Sequence, residues 1–136
     1  MSRARSVMIG LLLAIAAGPV CSQPGQPSNA PTITVHLSNF AFNPDQLLLR
    51  VGVPVRLHLV NDSSGGHNFS APDFFAASTF PSGSAPPGGK VDVTAGGSAD
   101  VVVVPRAVGT YKFECTHFLH ALFGMTGRII VQAQSG

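Results

Sequence analysis

Residues 109–127 read GTYKFECTHFLHALFGMTG, which is a short alternating segment, a compact loop and the start of a second segment. Successive side chains of a β-strand point to opposite faces, so Tyr111, Phe113 and Cys115 share one face of the first segment. The thiol of Cys115 therefore ends a row that faces the core. The apolar pattern resumes at residues 128–131, and the stretch predicts two neighbouring strands joined by a loop that begins at a cysteine.

This loop carries three side chains that bind soft metal ions. Cys115, His120 and Met125 offer a thiol, an imidazole and a thioether on one short segment. A copper ion that cycles between two oxidation states needs sulfur for the reduced ion and nitrogen for the oxidised ion, and a trigonal site with a weak axial sulfur tolerates both. The loop therefore supplies most of the ligands of such a site.

A trigonal site of this kind needs a second imidazole from elsewhere in the chain. His67 follows the turn-forming residues 63–66, SSGG, which come after the apolar segment at residues 55–60. We predict that His67 completes the site.

The rest of the chain shows the alternation of apolar and polar residues that is typical of half-buried strands. Strands are predicted at residues 33–37, 47–51, 55–59, 90–94, 99–104, 110–115 and 128–131. Residues 72–89 are rich in Pro, Gly and Ser and predict a long crossover loop, with Phe74 and Phe75 packed beneath it. The pattern predicts an all-β fold, an antiparallel Greek-key β-sandwich of about seven to eight strands.

The N-terminus has the pattern of a secretory signal peptide. Arg3 and Arg5 precede an apolar run at residues 7–17, which is shorter than the roughly 20 residues of a membrane span. We predict a signal peptide at residues 1–22, a flexible leader at residues 23–31 and one folded domain at residues 32–136. The mature protein would be periplasmic or secreted, with lipid attachment at Cys21 as the alternative for this terminus.

Removal of the signal peptide changes both the cysteine count and the charge. Only Cys115 would remain, and a single thiol in an oxidising compartment needs a role other than a disulfide. Without Arg3 and Arg5, six basic residues face six acidic ones, so the mature chain is formally neutral. Neutrality argues against nucleic acid as a partner, because such proteins need clustered Lys and Arg to neutralise phosphates.

Several segments resemble the cupredoxin family of blue-copper proteins, in particular small bacterial members related to azurin, pseudoazurin and plastocyanin. These segments are residues 40–44 (FAFNP), 53–55 (VPV), 67–69 (HNF), 109–115 (GTYKFEC) and 124–127 (GMTG). The resemblance covers nearly the whole mature chain and implies a cupredoxin-like sandwich. It also implies one type 1 copper ion as cofactor, held by His67, Cys115, His120 and Met125.

The resemblance further implies that Asn68 and Thr116 tie the two ligand loops together by hydrogen bonds. One departure concerns the loop itself, because many relatives have a proline just before the loop histidine and this chain has Leu119 there. His117 is a rival ligand, since it stands two residues after the cysteine. We prefer His120, because it keeps the family spacing from cysteine to histidine and on to methionine.

We expect a monomeric one-electron carrier that exchanges electrons with redox protein partners. A copper carrier that delivers the ion to another exported protein is the alternative. An enzyme is not expected, because a copper oxidase or nitrite reductase would need further copper ligands. Phe118, Leu119, Leu122 and Phe123 are open to two interpretations, as a cap on the sandwich or as an apolar rim around His120 where a redox partner docks.

Overall fold

The computed structural model describes residues 29–136, in which two five-stranded sheets pack face to face. The predicted signal peptide and most of the predicted leader lie outside these residues. No helix among the described residues is long and apolar enough to cross a membrane. The β-sandwich expected from the alternating pattern is confirmed.

The first sheet has the strand order β2-β1-β4-β8-β6. Its strands are β1 (Thr32–Ser38), β2 (Ala41–Asn43), β4 (Val55–Asn61), β6 (Ser78–Thr79) and β8 (Ser98–Pro105). The central strand β4 buries every second residue, since Val55, Leu57 and Leu59 face the core while the residues between them are partly exposed. This is the period-two pattern of a sheet with one packed face.

The second sheet has the strand order β3-β10-β9-β5-β7. Its strands are β3 (Gln46–Arg50), β5 (His67–Ser70), β7 (Lys90–Val93), β9 (Gly109–Glu114) and β10 (Thr126–Gln132). Strands β9 and β10 are antiparallel neighbours, with Phe113 opposite Gly127. Residues 109–132 therefore form the predicted pair of strands and the loop between them.

Two strand pairs are parallel, within the sandwich that the sequence predicted as antiparallel and whose other pairs are antiparallel. Thr34 of β1 lies opposite His58 of β4, and Leu48 of β3 lies opposite Ile130 of β10, in parallel register. Between β1 and β4 the chain forms β2 and then crosses to the second sheet as β3. Strand β4 consequently returns to the first sheet in the direction of β1.

Three short strands go beyond the seven segments found by alternation. Strands β2 and β6 have three and two residues, too few for a period to be recognised, and the four residues of β5 do not alternate because the first three are all buried. The predicted crossover loop contains one short helix, α1 (Pro72–Ala76), and a single 3-10 turn at Pro87–Gly89. Phe74 and Phe75 are buried beneath this segment, as predicted.

An aromatic cluster fills the core next to the cysteine. The ring of Phe113 stacks on that of Phe69, with 4.6 Å between centroids, and meets the ring of Phe42 edge to face at 4.9 Å. All three side chains are buried. Phe113 lies near the end of β9, and Cys115, the first residue after that strand, is buried as well, so the aromatic cluster lies next to the thiol.

Candidate metal centre

The structure brings the side chains of His67, Cys115 and His120 together at one end of the sandwich. The Sγ atom of Cys115 lies 3.4 Å from Nδ1 of His120 and 3.7 Å from Nδ1 of His67. The two Nδ1 atoms are 3.2 Å apart. Among the described residues, these three form the one group of His, Cys, Asp or Glu side chains close enough together to hold a metal ion.

The size of this triangle of donor atoms fits a first-row metal ion. A point equidistant from all three atoms lies about 2.0 Å from each, close to the roughly 2.0–2.1 Å of a bond from such an ion to imidazole nitrogen. Two imidazoles and one thiolate are also the donor set that suits both oxidation states of copper. Both the distances and the chemistry of the donor atoms therefore fit a copper ion.

Met125 is fully buried and is tied to two of these three residues by backbone hydrogen bonds. Its backbone N–H donates to the carbonyl of His120 at 3.0 Å, and its carbonyl accepts from the N–H of Cys115 at 3.1 Å. These bonds close the loop that joins β9 to β10. The four predicted ligand residues thus occupy one place in the fold, with Met125 at the closing end of the loop.

His67 is the first residue of strand β5, whereas the sequence placed it after a turn without assigning it to a strand. It is 1% exposed, and Asn68 beside it is 2% exposed. Polar residues this deeply buried need hydrogen-bond partners. The partners of both side chains are found on neighbouring loops.

Asn68 links the two segments that carry the ligands. Its side-chain Nδ2 donates to Oγ1 of Thr116 at 2.9 Å, and its Oδ1 accepts from the backbone N–H of Thr116 at 2.9 Å. The backbone N–H of Asn68 also donates to Sγ of Cys115 at 3.5 Å. The hydrogen bonds implied by the family resemblance are therefore present, and one backbone donor points at the sulfur that a metal would bind.

Asn39 is a functional candidate that the sequence analysis missed. It lies in the turn between β1 and β2, and its Oδ1 accepts a hydrogen bond from Nε2 of His67 at 2.9 Å. With Nε2 protonated, the lone pair of this imidazole is on Nδ1, the atom that faces the cysteine. A single asparagine in a turn carries no signal for such a role, because turns are rich in asparagine for local reasons.

Burial also favours the neutral form of this imidazole. Desolvation lowers the pKa of His67 below its ordinary value of 6.5, and the neighbouring His120 and His117 add to the lowering. A histidine must be neutral to bind a metal. The surroundings of His67 therefore hold it in the form that a ligand needs.

His120 is the candidate ligand nearest to solvent. It is partly exposed, and the ring of Phe40 meets it edge to face with 5.0 Å between centroids. His117 is exposed and is not part of the compact group of donor atoms. The geometry thus favours His120 over His117, in agreement with the preference drawn from the loop spacing.

The fold and this donor set are those of a cupredoxin. The chain belongs to the family described as cupredoxin-like domain, whose model matches residues 11–131. No curated protein sequence matches the chain.

Solved structures with the same fold agree with this family. Auracyanin B is 28% identical over 76% of this chain and 89% of its own, with a TM-score of 0.57. The auracyanin of Roseiflexus castenholzii is 20% identical over 76% of this chain and 98% of its own, with a TM-score of 0.59. The metal-binding domain of the Cu(I)-exporting ATPase CopA of Streptococcus pneumoniae is 12% identical over 79% of this chain and 91% of its own, with a TM-score of 0.51.

Proposed function

We propose that this protein is an exported blue-copper electron carrier that binds one type 1 copper ion through His67, Cys115, His120 and Met125. The observation that carries the proposal is the compact triangle formed by Sγ of Cys115 and the Nδ1 atoms of the two histidines. Bound copper would supply a one-electron couple. The protein changes no substrate in this role.

The residues around the donor atoms support rapid electron exchange by limiting movement. The bonds of Asn68 to Thr116 hold the two ligand segments at a fixed separation, and the bond of Asn39 holds the ring of His67. The thiol of Cys115 is completely buried next to the aromatic cluster. Ligand atoms that are already in place need little rearrangement when an electron arrives or leaves.

A surface for redox partners surrounds the partly exposed His120. We define the apolar rim as Phe40, Phe118, Leu119, Leu122 and Phe123, all of which are exposed; Phe118 is 87% and Leu122 is 79% exposed. A cluster of exposed apolar side chains marks an interaction site more often than a free surface. We therefore favour the docking interpretation of these residues over a cap on the sandwich.

Export is supported by the N-terminal sequence, where basic residues precede a short apolar run. A lone thiol does not by itself indicate export, and Cys115 is free and buried with no other cysteine to pair with among residues 29–136. Metal binding gives such a thiol a use in an oxidising compartment.

The test is to add cupric ion to the purified mature protein and to record its visible and electron-spin-resonance spectra. We expect an intense thiolate-to-copper band that is lost in Cys115→Ser and in His120→Gln but kept in His117→Gln. A colourless complex, or loss of the band in His117→Gln rather than in His120→Gln, would overturn this assignment.

A second measurement separates electron transfer from copper delivery. A reversible one-electron potential, together with slow loss of copper to a strong chelator, supports the electron carrier. Rapid transfer of copper to the chelator without a stable redox couple would support the copper carrier instead.

A further inference from the structure

His117 lies at the mouth of the metal centre, and the proposed ligand set does not use it. Its ring is stacked near that of His120, with 5.5 Å between centroids and an interplanar angle of 23°. Its centroid is 6.4 Å from that of His67, and the His67 and His120 centroids are 4.9 Å apart. Three imidazoles therefore form one cluster, and His117 is its exposed member.

The backbone fixes His117 in this place. Its carbonyl accepts a hydrogen bond from the N–H of His120 at 3.1 Å, so both belong to one tight turn. The residue before it, Thr116, is held by Asn68. The ring also lies close to Gly66, because a Cβ added there would be 3.7 Å from Cε1 of His117. His117 thus spans the opening between the segment that carries His67 and the loop that carries His120.

The other donor groups are much less accessible than His117. Cys115 and Met125 have no exposed surface and His67 is 1% exposed, while His120 is partly exposed. The imidazole of His117 is therefore the one in this cluster that is most open to a metal ion from solvent. Imidazole nitrogen binds copper in both of its oxidation states, so it can accept the ion whichever form is supplied.

We propose that His117 is the entry and exit ligand for copper, an imidazole that holds the ion transiently at the mouth of the centre and passes it inward to His120 and His67. This inference rests on the proposed function. In the exchange, His117 donates its nitrogen lone pair first and releases the ion as His120 and His67 take its place. Cys115 then binds as the thiolate, and its proton goes to water, so no electron is transferred.

A second binding group close to the final site raises the effective concentration of the ion there and so accelerates loading. The same group lowers the barrier to release, because binding and release follow one path in opposite directions. Removal of the imidazole should consequently slow both processes and leave the loaded centre unchanged.

The experiment mixes apo-protein rapidly with cupric ion and follows the growth of the thiolate-to-copper band. The variant is His117→Gln, and the matched control is His36→Gln, which removes a half-exposed imidazole beside Asp62, on a strand of the first sheet. We expect His117→Gln to load about tenfold more slowly and to release copper to a chelator more slowly as well. Its final band and reduction potential should equal those of the wild type, and His36→Gln should load at the wild-type rate.

Wild-type loading and release rates in His117→Gln would overturn the inference and leave the proposed function intact. A changed final band in that variant would also overturn it, because His117 would then be a permanent ligand or a structural support. If the wild type itself developed no band, the proposed function would fail and the inference with it.

Discussion

Asn68 and Thr116 form a two-way hydrogen-bonded pair, in which each residue both donates to the other and accepts from it at 2.9 Å. Asn68 follows the candidate ligand His67 and Thr116 follows the candidate ligand Cys115. The pair therefore sets the separation of two donor atoms that come from different parts of the chain.

Asn68→Ala should destabilise the apo-protein by about 1–3 kcal/mol, because it breaks both bonds of the pair and leaves the partly buried N–H of Thr116 without an acceptor. Thr116→Val should also be destabilising, since it keeps the N–H of residue 116 paired but leaves the buried Nδ2 of Asn68 without its acceptor. Thr116→Ser keeps both bonds and serves as the control. Urea denaturation measures the free energy of unfolding of the three variants. Equal stability of Asn68→Ala and the wild type would contradict a structural role for the pair.

Asn39→Ala should weaken copper binding by about 10–100-fold, because the ring of His67 loses the acceptor that orients it. Asn39→Asp retains an acceptor oxygen at the same position and should bind more tightly than the alanine variant. Competition with a chelator of known affinity measures the difference. Equal copper affinity in the alanine variant and the wild type would show that the ring is oriented by its packing alone.

Met125→Leu should keep the intense visible band but raise the reduction potential. Leucine offers no donor atom, and a site with one ligand fewer and a more apolar lining disfavours the oxidised ion, which carries the higher charge. We expect a rise of roughly 60 mV, which corresponds to a tenfold shift of a one-electron equilibrium. The two side chains have similar volumes, so the fold should lose less than about 1.5 kcal/mol. A potential equal to that of the wild type would remove Met125 from the proposed ligand set.

Leu122→Asp should slow electron transfer with a redox partner by about fivefold or more, as expected when an interface residue contributes about 1 kcal/mol to docking. The control is Leu48→Asp, which places the same charge at an exposed leucine of β3, outside the apolar rim. The visible band should be the same in both variants. Equal rates in the two variants would argue that partners do not dock on the rim.

Gly127→Ala should destabilise the fold by about 1–3 kcal/mol through overpacking. A Cβ at this position would collide with the ring of Phe113 and with the backbone carbonyl of Asp45. Gly65→Ala is the matched control, because a Cβ there would meet no atom within 4 Å. The midpoint temperature of thermal unfolding should therefore be clearly lower for apo Gly127→Ala than for apo Gly65→Ala. Similar midpoints would show that Phe113 can move aside.

The part of the site that could be predicted from the sequence lies on one strand, β9, and on the loop that follows it. Alternation predicted that the side chain of Cys115, which directly follows β9, faces the core, and the loop composition identified three donor residues on one segment. Both features depend on residues near each other in the chain. Such features can be predicted from the sequence, because the strand period and the loop length depend only on residues that are neighbours in the chain.

The contributions from distant segments were harder to predict. Alternation shows which face of a strand is buried but not which strand lies beside it. The parallel pairing of β1 with β4 could therefore not be predicted from the alternation. The role of Asn39 depends on a contact with a residue 28 positions away. Strand β5 shows no alternation, because its first three residues are all buried.

Two consecutive residues of the β1–β2 turn contact the two candidate imidazole ligands, since Asn39 bonds to His67 and the ring of Phe40 meets that of His120. The turn belongs to the first sheet, whereas His67 begins a strand of the second sheet and His120 lies in the loop between two others. Any separation of the sheets at this end therefore displaces both rings at once. The thiolate-to-copper absorption of the loaded protein would therefore change if the two sheets moved apart at this end, so it would report their separation.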